Sequence, residues 1–448
     1  MTADWLLADV VLVPMDGPPA APLGHVRRGA VRVRGGRIAA LGDLRPEPGE
    51  EVVDGAGRHA LPGFVQGHVH CCQTLFRGLA DDLPLLEWLR TRTWPIEHAM
   101  DAAATTASAE LTCCELLRSG TTTVQTIESV RHAECAAEVL RAFGLLAITG
   151  NSLMDLDDGG APPGMALGRA DSLRVSEQLA AWCDGRDGRP HYAVSPRFVL
   201  SCSDALLRDA GALARDRGLR VHTHAGEHPS EGEAVRARFG RDAIEVLHDL
   251  GLLGERTGLA HCVHTGARER ELLVATRTAV LHCPSANLKL GSGLAPIARY
   301  RELGLRVALG ADGAPCNNRL SALTELRTAA LLQAVAAGPG AFPAAAALWT
   351  ATAGGAAALG LAHEVGSLRP GLRADLCLFD LGDPSLAPGG DLCSAVVYSA
   401  DERHLRDVVV GGRFAVRDGE LRTRDHAAVA AAAAARRDEV LTRAGLRR

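Results

Sequence analysis

Residues 61–70 read LPGFVQGHVH, an apolar run that closes on the alternating pair His68 and His70. In an extended strand, residues two apart point to one face, so both imidazoles can reach the same point from the strand's end. Short apolar runs ending in polar residues return downstream as TTTVQTI (121–127), LLAITGN (145–151), HYAVSPRF (191–198) and LRVHTHAGE (219–227). They continue as TGLAHCVH (257–264), TAVLHCPS (278–285) and RVALGADG (306–313). Helix-like stretches such as ATTASAELTCCELLRSG and SALTELRTAALLQAVAAG alternate with them. Eight such units are the count of an α/β (β/α)8 TIM-type barrel, which takes about 250 residues.

Outside the barrel the texture changes. Residues 1–60 read as short strands with glycine turns, in LLADVVLVPMD, GAVRVRGGRIAALG and EEVVDGAGRHALPG. The pattern returns from residue 364 in EVGSLRPGLRADLCLFDL, SAVVYSA and GGRFAVRDGEL. We therefore expect a small β-sandwich domain formed from both termini, 1–60 and 364–425, around a barrel of 61–363, with the Ala-rich tail 426–448 as a C-terminal helix. No internal repeat points to a solenoid.

Composition narrows the function. With 448 residues, 47% hydrophobic and 23% charged, the chain can bury a large core. A formal charge of −5 with scattered arginines lacks the footprint of a nucleic-acid binder. No apolar stretch approaches the roughly 20 residues that span a bilayer, and the start MTADWLLADVVLVPMD has no basic segment before a cleavage site. The twelve cysteines include the adjacent pairs Cys71/Cys72 and Cys113/Cys114 but no CxxC, which argues against both a disulfide framework and a thiolate metal site. A cytoplasmic protein with a small-molecule heterocyclic substrate is expected, without nucleic-acid or membrane partners and assembling as a homo-oligomer.

Polar residues at the ends of barrel strands converge on one mouth. The first run supplies His68 and His70, the fifth His222, His224 and Glu227, the sixth His261 and His264, and the eighth Asp312. Imidazoles with one carboxylate suit Zn²⁺ or Fe²⁺ rather than Mg²⁺ or Ca²⁺. An isolated HxH is a weak signal, but His224 and Asp312 at matching strand ends strengthen it.

These segments, together with CPSANLKLGSGLAP, LGADGAPCNN and GSLRPGLRADLCLFD, resemble the amidohydrolase superfamily over essentially the whole chain. The resemblance is to the branch of adenosine-type deaminases (methylthioadenosine, S-adenosylhomocysteine, 5'-deoxyadenosine), guanine deaminases and s-triazine hydrolases. It implies one Zn²⁺ or Fe²⁺ per chain held by His68, His70, His224 and Asp312, with Glu227 as proton shuttle and His261 beside the reacting water and substrate. It leaves His222 as a packed strand residue and gives His264 no role. Relatives that bridge two metals use a carboxylated lysine from the fourth strand. HYAVSPRF has none, and Lys289, the only lysine in the chain, lies beyond the seventh.

The implied reaction is hydrolytic deamination of an amino-substituted ring. A metal ion lowers the pKa of a water towards neutrality, and Asp312 accepts its proton. Glu227 protonates the neighbouring ring nitrogen as a general acid, His261 stabilises the nascent hydroxyl, ammonia leaves and a lactam remains. Glu97 in WPIE resembles the residue that contacts ribose hydroxyls in adenosine-type relatives, and Trp88 and Trp94 are candidate apolar walls or loop packing. Gln73 and Arg197 resemble instead the purine-binding pair of guanine deaminases, whereas DGAPCNN is unlike those enzymes. An adenosine-type nucleoside is favoured. The alternatives are a guanine, pterin or other free-base deaminase, an s-triazine amino- or chlorohydrolase, a cyclic-amide hydrolase and a non-catalytic member of the fold.

Overall fold

The computed structural model describes residues 4–157 and 160–446, so the outermost residues of the expected terminal segments lie outside the described residues. The chain opens with strands β1 (Trp5–Leu12), β2 (Arg27–Arg34), β3 (Arg37–Gly42), β4 (Val52–Asp54) and β5 (His59–Pro62). Then come β6 (Phe64–Val69), β7 (Thr121–Thr126), β8 (Leu146–Thr149), β9 (Ser152–Leu153) and β10 (His191–Pro196). They are followed by β11 (Arg220–Ala225), β12 (Thr257–His261), β13 (Ala279–His282) and β14 (Val307–Leu309). The last strands are β15 (Leu376–Phe379), β16 (Leu405–Val410), β17 (Arg413–Arg417) and β18 (Glu420–Leu421).

The middle strands form one sheet in the order β14-β13-β12-β11-β10-β8-β7-β6, with β9 a short extra strand on β10. Every expected barrel run contains one of these strands. A parallel bridge between Val69 and Asp312 brings the two ends of the sheet together, and the Asp312 N–H donates to His68 O at 3.0 Å. The sheet thereby curls into a nearly closed TIM-type barrel. Closure needs a residue without a side chain at Gly310, where a Cβ would lie 2.7 Å from His68 O. Every residue of β6, β7 and β8 is buried. Helices cover the outer face of such a sheet and side chains fill the inner one, so these strands read as runs rather than as strict alternation.

Strands from the two ends of the chain form a second, mixed sheet, ordered β18-β17-β16-β15-β5-β1-β2-β3 with β4 also on β1. β1 changes partner along its length: Leu6–Ala8 pair with β4, while Val11 and Leu12 pair with β5. The switch coincides with a register shift between Leu7 and Val10 and with the left-handed φ of 50° at Asp9. Leu7, Val31, Val33, Ile38, Leu376, Leu378 and Val409 form its buried core.

The chain divides into two compact units. One comprises residues up to Gln66, Cys114–Thr123 and Ser321–Asp425; the other comprises Gly67–Cys113, Val124–Leu320 and the tail from His426. The tail is a helix, His426–Arg443, whose buried residues Val429, Ala433 and Val440 recur at helical spacing. Ala433 and Val440 pack with Leu75, Phe76 and Ile96. Among the described residues no helix is long and apolar enough to cross a membrane. All twelve cysteines are free, and only Cys135 is less than fully buried.

Candidate active site

The strand ends bring five metal-ligating side chains together. His68 Nε2 and His70 Nε2 each lie 3.2 Å from Asp312 Oδ1, and His70 Nε2 is 3.2 Å from His224 Nε2. His261 Nε2 is 3.8 Å from Asp312 Oδ2. One ligand atom each from His68, His224, His261 and Asp312 fall within 4.8 Å of one another. His70 belongs with them by its own distances, so the cluster holds more donors than a tetrahedral ion needs. His261 and Asp312 adopt left-handed φ values of 71° and 62°, a strain of about 1–3 kcal/mol each that packed surroundings sustain where side chains must be aimed.

Each imidazole is aimed by its other nitrogen. His70 Nδ1–H donates to Ile127 O at 2.6 Å, and His224 Nδ1–H donates to Arg197 O at 2.6 Å. His261 Nδ1–H donates to Asn287 Oδ1 at 2.9 Å, and His68 Nδ1 shares a hydrogen bond of 2.8 Å with His222 Nε2. With Nδ1 protonated, the Nε2 atoms of His70 and His224 face each other at 3.2 Å, a contact that a shared proton or a metal cation beside both relieves. His68 Nε2 and His261 Nε2 are buried and have no hydrogen-bond partner among the described residues. Burial holds His68 down to about 4 and His224 well below the usual imidazole value. Burial opposes ionisation of Asp312, but the neighbouring His68 and His70 outweigh it and hold the carboxyl well below its ordinary range. Burial opposes protonation of His70 as well, but Asp312 outweighs it and raises that imidazole; imidazoles around an ionised carboxylate are the donor set that fits Zn²⁺ or Fe²⁺, which takes the place of such a proton.

Two residues to which the sequence lent no role support this arrangement. His222 is not merely packed, since it carries the hydrogen bond to His68. Glu128, just past β7, accepts from Cys72 N–H at 2.9 Å and Cys71 N–H at 3.4 Å, bracing the turn that follows His70. His222 shows in the sequence as the first histidine of HTH, which the resemblance leaves to packing, whereas nothing in the sequence marks Glu128.

Glu227 follows β11 and is buried, with Oε2 3.5 Å from His261 Nε2. Burial first, then the charges of Asp312 and Glu231, push its carboxyl well above the ordinary carboxylate value. A buried carboxyl whose hold on its proton is strengthened in this way, next to the imidazoles and Asp312, is suited to general-acid work.

His70, His224, Glu227, His261 and Asp312 line an open cleft together with Gln73, Leu85, Trp88, Leu89, Arg197 and Phe198. Trp88 forms an apolar wall and carries an indole N–H without a partner among the described residues. Trp94 does not line the cleft; it is buried in a cluster with Val130, Met154 and Met165. Glu97 lies behind the wall rather than on it. Its Oε2 accepts from Arg197 at 2.6 Å, and its Oε1 accepts from Arg197 at 3.1 Å and Gln73 at 2.7 Å. Residues that pointed to two different substrates in the sequence thus form one buried network. Lys289 is remote from the strand-four position, tied to Asp81, Asn318 and Pro315 O.

A barrel of this topology, with imidazoles and a carboxylate gathered at its strand ends, defines a metal-binding hydrolase. The chain belongs to the amidohydrolase family, whose model matches residues 59–415. It is 37% identical over 408 residues to a 5'-deoxyadenosine deaminase of Methanothermobacter thermautotrophicus, covering 90% of this chain and 93% of that one. It is 38% identical over 413 residues to a 5-methylthioadenosine/S-adenosylhomocysteine deaminase of Halobacterium salinarum, covering 92% and 93%. Its structure resembles that of a zinc-bound adenosine deaminase from Xanthomonas campestris, with a TM-score of 0.89, 31% identity and coverage of 98% of this chain and 99% of that one.

Proposed function

We propose that the chain hydrolytically deaminates an amino-substituted purine-like ring, with an adenosine-type nucleoside ahead of any free base. The observation that carries this is the buried Glu227, 3.5 Å from His261 Nε2 and next to a His/His/His/Asp cluster at the floor of a partly apolar cleft. The names borne by the similar deaminases support the same chemistry.

We assign one Zn²⁺ or Fe²⁺ to His68, His70, His224 and Asp312. The three imidazoles have their Nδ1 atoms tied elsewhere and their Nε2 atoms within 3.2 Å of another member of this set. His261 faces Glu227 instead. When bound, the ion supplies Lewis acidity that lowers the pKa of a water towards neutrality.

The chain's residues do the rest. Asp312 accepts a proton from the attacking water, whose oxygen bonds to the ring carbon bearing the amino group. Glu227 gives its proton to the adjacent ring nitrogen, which makes that carbon electrophilic. His261 steadies the new hydroxyl. The proton held by Asp312 passes to the amino group, the carbon–nitrogen bond breaks and ammonia leaves, and the hydroxyl gives its proton back to Glu227 as the lactam carbonyl forms. Leu85, Trp88, Leu89 and Phe198 exclude water from the cleft. The free cysteines suit a reducing compartment, and we assign the enzyme to the cytoplasm.

One observation favours a second reading. Gln73 and Arg197 line the cleft while Glu97 is occupied behind them, an arrangement that suits the polar edge of a free base such as guanine or a pterin. Ammonia release by the metal-loaded protein from 5'-deoxyadenosine, methylthioadenosine, adenosine, guanine, aminopterins, cytosine and melamine-like rings tests both. The proposal expects the highest kcat/KM for a nucleoside; much faster turnover of guanine or a pterin overturns it.

A further inference from the structure

Glu227 carries the proton transfer in this reading, yet its carboxylate makes no hydrogen bond among the described residues and is met only by His261 Nε2 at 3.5 Å. Its aim must therefore come from its backbone. That backbone is held from two sides. On one side, the His264 N–H donates to Gly226 O at 2.8 Å and the Cys262 N–H to Ala225 O at 3.1 Å. Gly226 has a φ of +62°, and a Cβ there would lie 2.7 Å from His264 O, so the turn fits closely against the chain after β12. On the other side stands Glu231, in the helix Pro229–Phe239 and only 1% exposed. Its Oε2 accepts from Glu227 N–H at 2.7 Å, and its Oε1 accepts from Gly226 N–H at 3.2 Å.

We propose that Glu231 is a positioning residue for Glu227, gripping two consecutive backbone N–H groups with its two oxygens and so fixing where the Glu227 carboxylate points. The inference rests on the proton-shuttle reading of Glu227. The chemistry of the side chain supports it. A carboxylate can accept from both N–H groups at once, whereas glutamine offers one oxygen and would turn an N–H group towards the other backbone donor. A buried carboxylate close to Glu227 is electrostatically unfavourable, and the Glu231 carboxyl is itself pushed up by burial and only partly relieved by the backbone donors. An apolar residue would fill the volume without that penalty. What it cannot do is hold the turn.

The test uses the metal-loaded full chain with Glu231→Gln and Glu231→Ala. Hydrogen exchange at the Gly226 and Glu227 amides, followed against global unfolding, reads the grip directly. It should accelerate more than about tenfold in Glu231→Ala and less in Glu231→Gln. Steady-state kinetics on the substrate that wild type turns over fastest should show a kcat loss of about 100-fold for Glu231→Ala, the scale expected when a reacting group is misplaced by about 1 Å. KM and metal content should stay near wild type, and Glu231→Gln should recover part of kcat. Unchanged amide protection in Glu231→Ala overturns the proposal, as does a kcat loss that tracks metal loss or a parallel rise in KM. If wild type releases ammonia from no substrate in the panel, the deaminase reading fails instead, and the exchange experiment still decides whether Glu231 grips the turn.

Discussion

His222 Nε2 and His68 Nδ1 share a 2.8 Å hydrogen bond inside the barrel, where both rings are fully buried. That bond selects the tautomer and orientation of His68 and turns its Nε2 towards Asp312. Replacing His222 by Phe keeps the volume and removes the bond. Removing such an outer partner typically weakens metal affinity about 10- to 100-fold. Competition against a chromogenic chelator should show that loss, with His222→Gln falling between Phe and wild type; an unchanged affinity would mean that packing alone orients His68.

Metal content follows from the same cluster. We expect about one equivalent of Zn²⁺ or Fe²⁺ per chain, because the set is complete for one ion and the sole lysine is engaged elsewhere. His68→Ala or Asp312→Ala should lose both metal and activity. Elemental analysis finding two equivalents retained through dialysis contradicts the assignment.

Glu227→Gln keeps shape and a polar tip but cannot shuttle a proton. It should retain metal and substrate affinity while kcat falls about 10²- to 10⁴-fold. A variant that keeps more than about a tenth of the wild-type rate excludes Glu227 from proton transfer. A variant that loses its metal moves Glu227 into the coordination shell.

Arg197 and Glu97 are a buried ion pair, each only 5% exposed. Arg197→Met leaves the Glu97 carboxylate buried without its partner, which costs about 3–5 kcal/mol when one member of such a pair is removed. The double variant Arg197→Met/Glu97→Gln should recover most of that stability, because neither charge remains. Urea unfolding of the singles and the double measures the coupling, and purely additive losses would mean that the pair is not a unit.

Glu50 provides a test away from the cleft. Hydrogen bonds from Arg32 and Arg34, with burial opposing, hold its carboxyl down at about 2 against an ordinary value of 4.5. A depressed folded-state value means the stabilisation is complete above about 4.5 and is lost as pH falls from there through about 2. Glu50→Gln should therefore lower stability by about 1–2 kcal/mol at neutral pH, discounted for the solvent around the arginines. The difference from wild type should shrink as pH drops below the ordinary carboxylate range; a constant difference in unfolding midpoints across that range contradicts the role.

The barrel was legible because each of its strands must be apolar enough to be buried on both faces while ending in polar residues at a shared mouth. That constraint writes the same short pattern eight times from LPGFVQGHVH to RVALGADG. His68 and His70 were legible as a pair because strand alternation alone puts them on one face. Lys289, as the only lysine, excluded a carbamate-bridged centre on composition. Other features depend on distances between residues far apart in the chain, which no local pattern encodes. His222 looks like any buried strand residue until the neighbouring strands bring it to His68, 154 positions away. Glu97 and Arg197, 100 positions apart, point to different substrates when read singly, and only packing shows that Arg197 on the cleft wall is neutralised by Glu97 behind it. Glu231 lies one helical turn after Glu227, a spacing visible in HTHAGEHPSE, but nothing in that spacing says that its carboxylate bends back onto the backbone. Residue type and local period thus determined the fold and the chemistry of the mouth. Which nitrogen each imidazole presents, and which charges cancel, was decided by the tertiary structure, because hydrogen bonds act over about 3 Å and only folding brings such partners that close.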